Sequence, residues 1–103
     1  MGRLIEIQSG AEELPPRLAI KTGDLLVFTA TGGHVQSGGD VIEMLGAFLT
    51  GVVGNGGQIL SPMGAPNTVL FLARRSGQAR IDVVTGDPWH ASQTTTVDLV
   101  VDS

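Results

Sequence analysis

Cysteine and tyrosine are absent from this 103-residue chain, tryptophan occurs once, and charged residues make up only 16%. Without a thiol there is no disulfide framework, no thiolate zinc or iron–sulfur site and no cysteine nucleophile. Six basic residues stand against ten acidic ones, a net charge of −4. That balance argues against tracking a phosphate backbone, so nucleic acid is not an expected partner. Long apolar runs are also missing. Met44–Ala73 carries no charge, yet Gly46, Gly51, Gly54, Pro62 and Pro66 break it well short of the roughly 20 apolar residues of a membrane span. The opening Leu4–Ile7 contains Glu6 and is too short for a signal-peptide core. The expectation is a soluble chain with no membrane partner, cytoplasmic by default or supplied without its export signal.

What the chain has in abundance is punctuation: 15 glycines and five prolines. Turn signals recur roughly every 8–12 residues, the rhythm of an all-β sandwich or barrel. Extended segments are expected at Leu4–Ile7, Arg17–Ile20, Leu25–Ala30, Gln58–Leu60, Thr68–Ala73, Ala79–Thr85 and Thr94–Val101. Leu25–Ala30 and Thr68–Ala73 are apolar on both alternating faces, which predicts cover on both sides. Ala79–Thr85 sets Ala79, Ile81 and Val83 against Arg80 and Asp82, and Thr94–Val101 sets Thr95, Val97, Leu99 and Val101 against Thr96 and Asp98. These two strands should have one buried and one wet face. Thr31–His34, Ser37–Gly39, Gly54–Gly57, Ser61–Asn67 and Gly86–Ser92 read as loops. Residues 40–49 read two ways. Asp40 and Glu43 form a capping-box pattern ahead of Val41, Met44, Leu45 and Phe48, which predicts a short helix; the same residues could form two short strands broken at Gly46. About seven strands in one chain of this length predict a single domain over 1–103, an immunoglobulin-like antiparallel β-sandwich.

No catalytic motif is present: no nucleophile elbow, no metalloprotease helix, no Walker loop and no EF-hand loop. The expected class is non-enzymatic, with no cofactor and no metal centre. His34 and His90 fall in expected loops near Asp40 and Asp87, but two isolated histidines lack ligand spacing and read as exposed loop residues. Trp89 beside Pro88 reads either as a rigid binding anchor or as a lid over the end of the sandwich. Arg74, Arg75 and Arg80 read as a solvated turn rather than a basic binding patch.

Three loops taken in order carry a resemblance. Thr31-Gly32 follows the first double-sided strand, Gly54-Asn55-Gly56-Gly57 matches a Gly-x-Gly-Gly pattern, and Pro88-Trp89 precedes the last strand. This arrangement resembles chagasin-type inhibitors of papain-like cysteine proteases, immunoglobulin-like domains of about this length. In that family, three such loops lie in one row. The Asn-Pro pair of the family's first loop is missing here, and Asp87 stands where the family has arginine. The resemblance implies a protein partner of the papain-like protease class, contacted by Thr31, Gly32, Gly54, Asn55, Gly56, Gly57, Pro88 and Trp89. A second resemblance, to PA-IL-type bacterial lectins, rests on Gly23-Asp24, Gly46-Ala47, Gly54-Asn55 and Asp87. The paired asparagines those lectins hold near calcium are absent after Asp87. It implies an alternative, a carbohydrate- or metal-binding module using Asp87, His90 and His34. A third reading is an assembly subunit: the uncharged stretch holds Phe48, Leu49, Val52, Val53, Ile59, Leu60, Leu70 and Leu72, more apolar surface than one small core needs, which predicts a homo-oligomer.

Overall fold

Aliphatic residues spaced two apart can share a core only if their strands pair in register, and the late segments of the chain do so. The computed structural model describes residues 2–7, 14–60, 63–87 and 89–103. Ten strands are formed: β1 (Leu4–Ile7), β2 (Arg17–Lys21), β3 (Leu25–Phe28), β4 (Gly32–Ser37), β5 (Ile42–Phe48), β6 (Val52–Val53), β7 (Ile59–Leu60), β8 (Thr68–Ala73), β9 (Gly77–Thr85) and β10 (Gln93–Asp102). Eight of them make two four-stranded sheets, ordered β1-β3-β8-β5 and β2-β10-β9-β4, and β6-β7 is a separate ribbon. Most pairs are antiparallel. The exceptions are β1 beside β3 and β2 beside β10, both parallel. The two opening strands therefore add to the edges of opposite sheets. The result is the expected all-β, immunoglobulin-like sandwich, with β4, β5 and β6 added to the seven strands expected.

The facing sides of the sheets meet in a core of Leu26, Phe28, Ile42, Val69, Phe71, Ile81, Val83, Val97 and Leu99, all essentially inaccessible. Phe28 and Phe71 meet edge to face at its centre, with ring centroids 5.7 Å apart, a geometry favoured by the aromatic quadrupole. The predicted inward sets of β9 and β10 are buried apart from Thr95, which is half-buried, and Asp82, expected on the wet face, is buried as well. Cover on both sides of β3 and β8 is not found. Their inner residues are buried, but Leu25, Val27, Leu70 and Leu72 on the outer side are only partly covered.

Two expectations are corrected. Residues 40–49 are not helical. They form β5, which pairs with β8 and shifts register between Met44 and Gly46. Gly46 takes a φ of +142°, and the extra residue of this bulge, Leu45, is turned to the surface. The capping-box pattern is overridden because Ile42 and Met44 enter the core with period two. Thr31–His34 is not a loop either. Thr31 precedes β4, and Gly32, Gly33 and His34 lie within it. Glycine there signals a close approach rather than a turn: a Cβ on Gly33 would sit 2.6 Å from the Asp82 carbonyl oxygen and 3.3 Å from the Phe71 ring. Gly38 does serve a turn, with φ +80° and its carbonyl accepting from the backbone amides of Val41 and Ile42.

Candidate functional site

Strand direction decides which connections are neighbours. Phe28 pairs with Val69, Phe48 with Thr68, Gly32 with Val84 and Thr85 with Gln93. These registers put the β3–β4 connection, the whole β5–β8 excursion with its β6–β7 ribbon, and the β9–β10 connection at one end of the sandwich. Thr31, Asn55 and Trp89 therefore lie on three connections of the same end.

Backbone hydrogen bonds tie the first connection to the ribbon stem and to β9. Ala30 N–H donates to the Asn67 carbonyl at 3.3 Å, Asn67 N–H donates to the Phe48 carbonyl at 2.9 Å, and Thr31 N–H donates to the Val84 carbonyl at 2.8 Å. The Thr31 hydroxyl also donates to the Val84 carbonyl. The Asn67 side-chain oxygen accepts from the hydroxyls of Thr50 and Thr68 at 3.0 and 2.9 Å. Asn67 is thus the knot between the first connection and the ribbon's two stems. Sequence reading passed over it as one residue of a proline-containing loop; only Thr68 is its neighbour in sequence, and Thr50 is brought to it by the fold.

Each tip has its own local reason. In the ribbon turn, Gly54 N–H donates to the Gln58 carbonyl at 2.8 Å, the Gln58 side chain accepts from Gly56 N–H, and Gly57 adopts φ +84°. This is the turn that Gly54-Asn55-Gly56-Gly57 predicts. In the last connection, the Asp87 carboxylate accepts from Trp89 N–H at 2.8 Å, and the Asp87 carbonyl accepts from His90 and Ala91 N–H. Asp87 closes an Asx turn that presents Trp89. Trp89 is 75% exposed, so it is not a lid. Pro88 lies outside the described residues.

The chemistry of this end is apolar. Val52, Val53, Ile59, Leu60 and Met63 are all exposed, Val53 to 71% and Met63 to 98%. Among the described residues of the three connections, Asp87 is the only ionised side chain. Charges gather at the other end, where Arg3 forks onto Asp24 at 3.0 and 2.6 Å, Arg74 meets Glu43 at 2.6 Å and Arg75 meets Asp40 at 3.8 Å. With Arg80 bonded to Asp98 at 2.8 Å, the three arginines form no open basic patch.

The histidines do not converge. His34 lies on β4 with Nε2 2.9 Å from Asp82, not near Asp40. Asp82, 5% exposed on the outward side of β9, also accepts from the Gln36 amide at 2.5 Å and the Thr96 hydroxyl at 2.8 Å. These bonds, the Gln36 amide first, hold its carboxyl below the usual carboxylate range against the opposing effect of burial. His90 sits in the Asp87 turn. Among the described residues, no three His, Cys, Asp or Glu side chains could share a metal ion.

No protein-family model and no curated protein matches the chain. Solved structures do. The cysteine protease inhibitor EhICP2 from Entamoeba histolytica is similar over 97% of this chain and 96% of its own, with a TM-score of 0.57 and 14% sequence identity. Amebosin is similar over 97% and 98%, with a TM-score of 0.50 and 17% identity. At these identities the likeness is one of fold, and it extends the resemblance read from three loops to nearly the whole chain.

Proposed function

We propose that the chain is a non-catalytic protein-binding module whose loop end engages the active-site cleft of a papain-like cysteine protease. One observation carries the reading. Three connections at one end, the first bonded to the ribbon stem through Asn67 and to β9 through Val84, expose Val52, Val53, Ile59, Leu60, Met63 and Trp89 with Asp87 the one acidic side chain among their described residues. Side chains with few rotatable bonds on hydrogen-bonded turns bind with a small ordering cost, because the backbone that carries them is already fixed. Trp89 is the anchor, the β6–β7 ribbon and its Gly54–Gly57 turn form the second contact, and Thr31 with Gly32 the third. The fold likeness to a solved cysteine protease inhibitor supports the choice of partner. Two of the tips, the ribbon turn and the Asp87 turn, are closed by their own hydrogen bonds, whereas a protease needs an extended peptide across its nucleophile.

The test is residual activity of a papain-like protease titrated with the protein, repeated with Trp89→Ala. Inhibition by the wild type that weakens at least about tenfold in the variant supports the reading, that factor being the roughly 1.4 kcal/mol threshold of an interface anchor. Full protease activity at high micromolar protein contradicts it.

A further inference from the structure

The chain has two asparagines, Asn55 and Asn67, and the fold treats them in opposite ways. Asn67 is fixed. Its side-chain oxygen accepts from the hydroxyls of Thr50 and Thr68. The residue after it, β-branched Thr68, opens β8 and pairs with Phe48. Asn55 is exposed at the tip of the β6–β7 ribbon, and no described residue bonds its side chain. The residue after it is Gly56.

Asparagine is chemically labile, because its side chain can react with the peptide nitrogen that follows. The Gly56 nitrogen attacks Asn55 Cγ. The new N–Cγ bond closes a succinimide ring, and the Cγ–Nδ2 bond breaks to release ammonia, which carries off the Gly56 amide proton. Water then opens the ring at either carbonyl and leaves aspartate or isoaspartate. No oxidant or reductant takes part. A side chain on the following residue would shield the nitrogen, and Gly56 has none. Nor does the turn call for glycine at this position. The positive φ falls on Gly57, not on Gly56. A Cβ on Gly56 would meet, beyond its chain neighbours, only the flexible Gln58 side chain, with Oε1 at 2.9 Å and Cδ at 3.9 Å. One restraint opposes the reaction. Gly56 N–H donates to Gln58 Oε1 at 2.9 Å, a bond that must open before the nitrogen attacks.

We propose that Asn55-Gly56 is a self-modification site, at which the ribbon tip converts in water to aspartate and isoaspartate at a pace set by Gln58. The products alter the tip in two ways. Each places a carboxylate at a loop end whose described residues otherwise carry only that of Asp87. Isoaspartate also lengthens the main chain inside a turn closed by Gly57 N–H on the Gly54 carbonyl at 3.1 Å and by Gly54 N–H on the Gln58 carbonyl at 2.8 Å. The consequence for binding rests on the proposed inhibition: conversion weakens the ribbon's contact with the protease.

The full chain is held in warm, mildly alkaline buffer and followed by peptide mass mapping, with an isoaspartyl methyltransferase to count isoaspartate. The amide-to-acid mass gain should appear at Asn55 while Asn67 stays intact. Gln58→Ala should convert about fivefold faster, the weight of one net hydrogen bond. An Asn55 that stays intact while the urea-unfolded chain converts overturns the site, and so does equal conversion of Asn67. A Gln58→Ala rate equal to that of wild type overturns the restraint. Fresh and converted protein are then titrated against a papain-like protease. The converted protein should inhibit at least about fivefold more weakly, the smallest cost of an unpaired charge in an apolar contact; equal inhibition overturns the consequence for binding. A fresh protein that leaves the protease fully active refutes the proposed function and this consequence with it, while the mass map decides the modification by itself.

Discussion

Two residues at opposite ends of the molecule show how differently one side chain can matter. Trp89 is held by its backbone amide on Asp87 and makes its large surface available to solvent. Trp89→Ala should therefore leave the melting temperature within a degree or two of wild type while removing binding; a large loss of stability in a thermal melt would show that the ring packs on the protein after all. Asp24 is the reverse case, 1% exposed at the tight turn into β3. Its carboxyl is lowered from 3.8 to about 2, chiefly by the Arg3 hydrogen bonds, with the Lys21 amide assisting and burial opposing. A depressed carboxylate pKa contributes stability above the unfolded-state value and loses it as pH falls through the folded one. Asp24→Asn should accordingly be destabilised relative to wild type at neutral pH, with the gap closing as the medium is acidified from about pH 4 toward pH 2. Urea melts across that range check the sign, and a gap that widens on acidification would contradict it.

At the scale of elements, β9 and β10 were legible because period-two alternation and the Gly86–Ser92 break agreed, and β8 because a continuous apolar run ended at the Arg74–Gly77 break. β4 and β5 were not. Gly32-Gly33 looks like a loop to any rule of propensity, yet only the absence of a Cβ lets β4 lie against Asp82 and Phe71. The bulge at Leu45 moves β5 out of strict alternation, and the residues it displaces imitate a helical stripe. Parallel pairing of β1 with β3 and of β2 with β10 is a long-range choice that no local pattern records. Two predictions test these elements. Gly33→Ala should destabilise by about 1–3 kcal/mol, the range for forcing extra carbon into a filled site. Phe71→Ala, which empties the centre of the core beside Phe28, should cost about 3–5 kcal/mol, a large share of the roughly 5–15 kcal/mol available to a domain. Chemical denaturation measures both, and a neutral Gly33→Ala would mean that β4 stands off from β9.

For the whole molecule, turn spacing was enough to foresee a sandwich, and chain order was enough to name three loops. Their meeting at one end follows from strand direction, and the bonding of the first to the ribbon stem through Asn67 and to β9 through Thr31 and Val84 does not announce itself in the sequence. The contrast between a polar and an aliphatic outer face needed registers as well as composition. Apolar loop tips at one end and charge pairs at the other give the chain a functional polarity that its net charge conceals.

The central claim is that the apolar loop end binds a papain-like protease. Titrating such a protease with the protein, and repeating the titration with Trp89→Ala and with the ribbon variant Val53→Asp, tests it most directly. The account predicts dose-dependent loss of activity by the wild type and marked weakening by either substitution in proteins that melt normally. A protease that keeps its full activity at saturating protein, or is inhibited equally by all three, would contradict it.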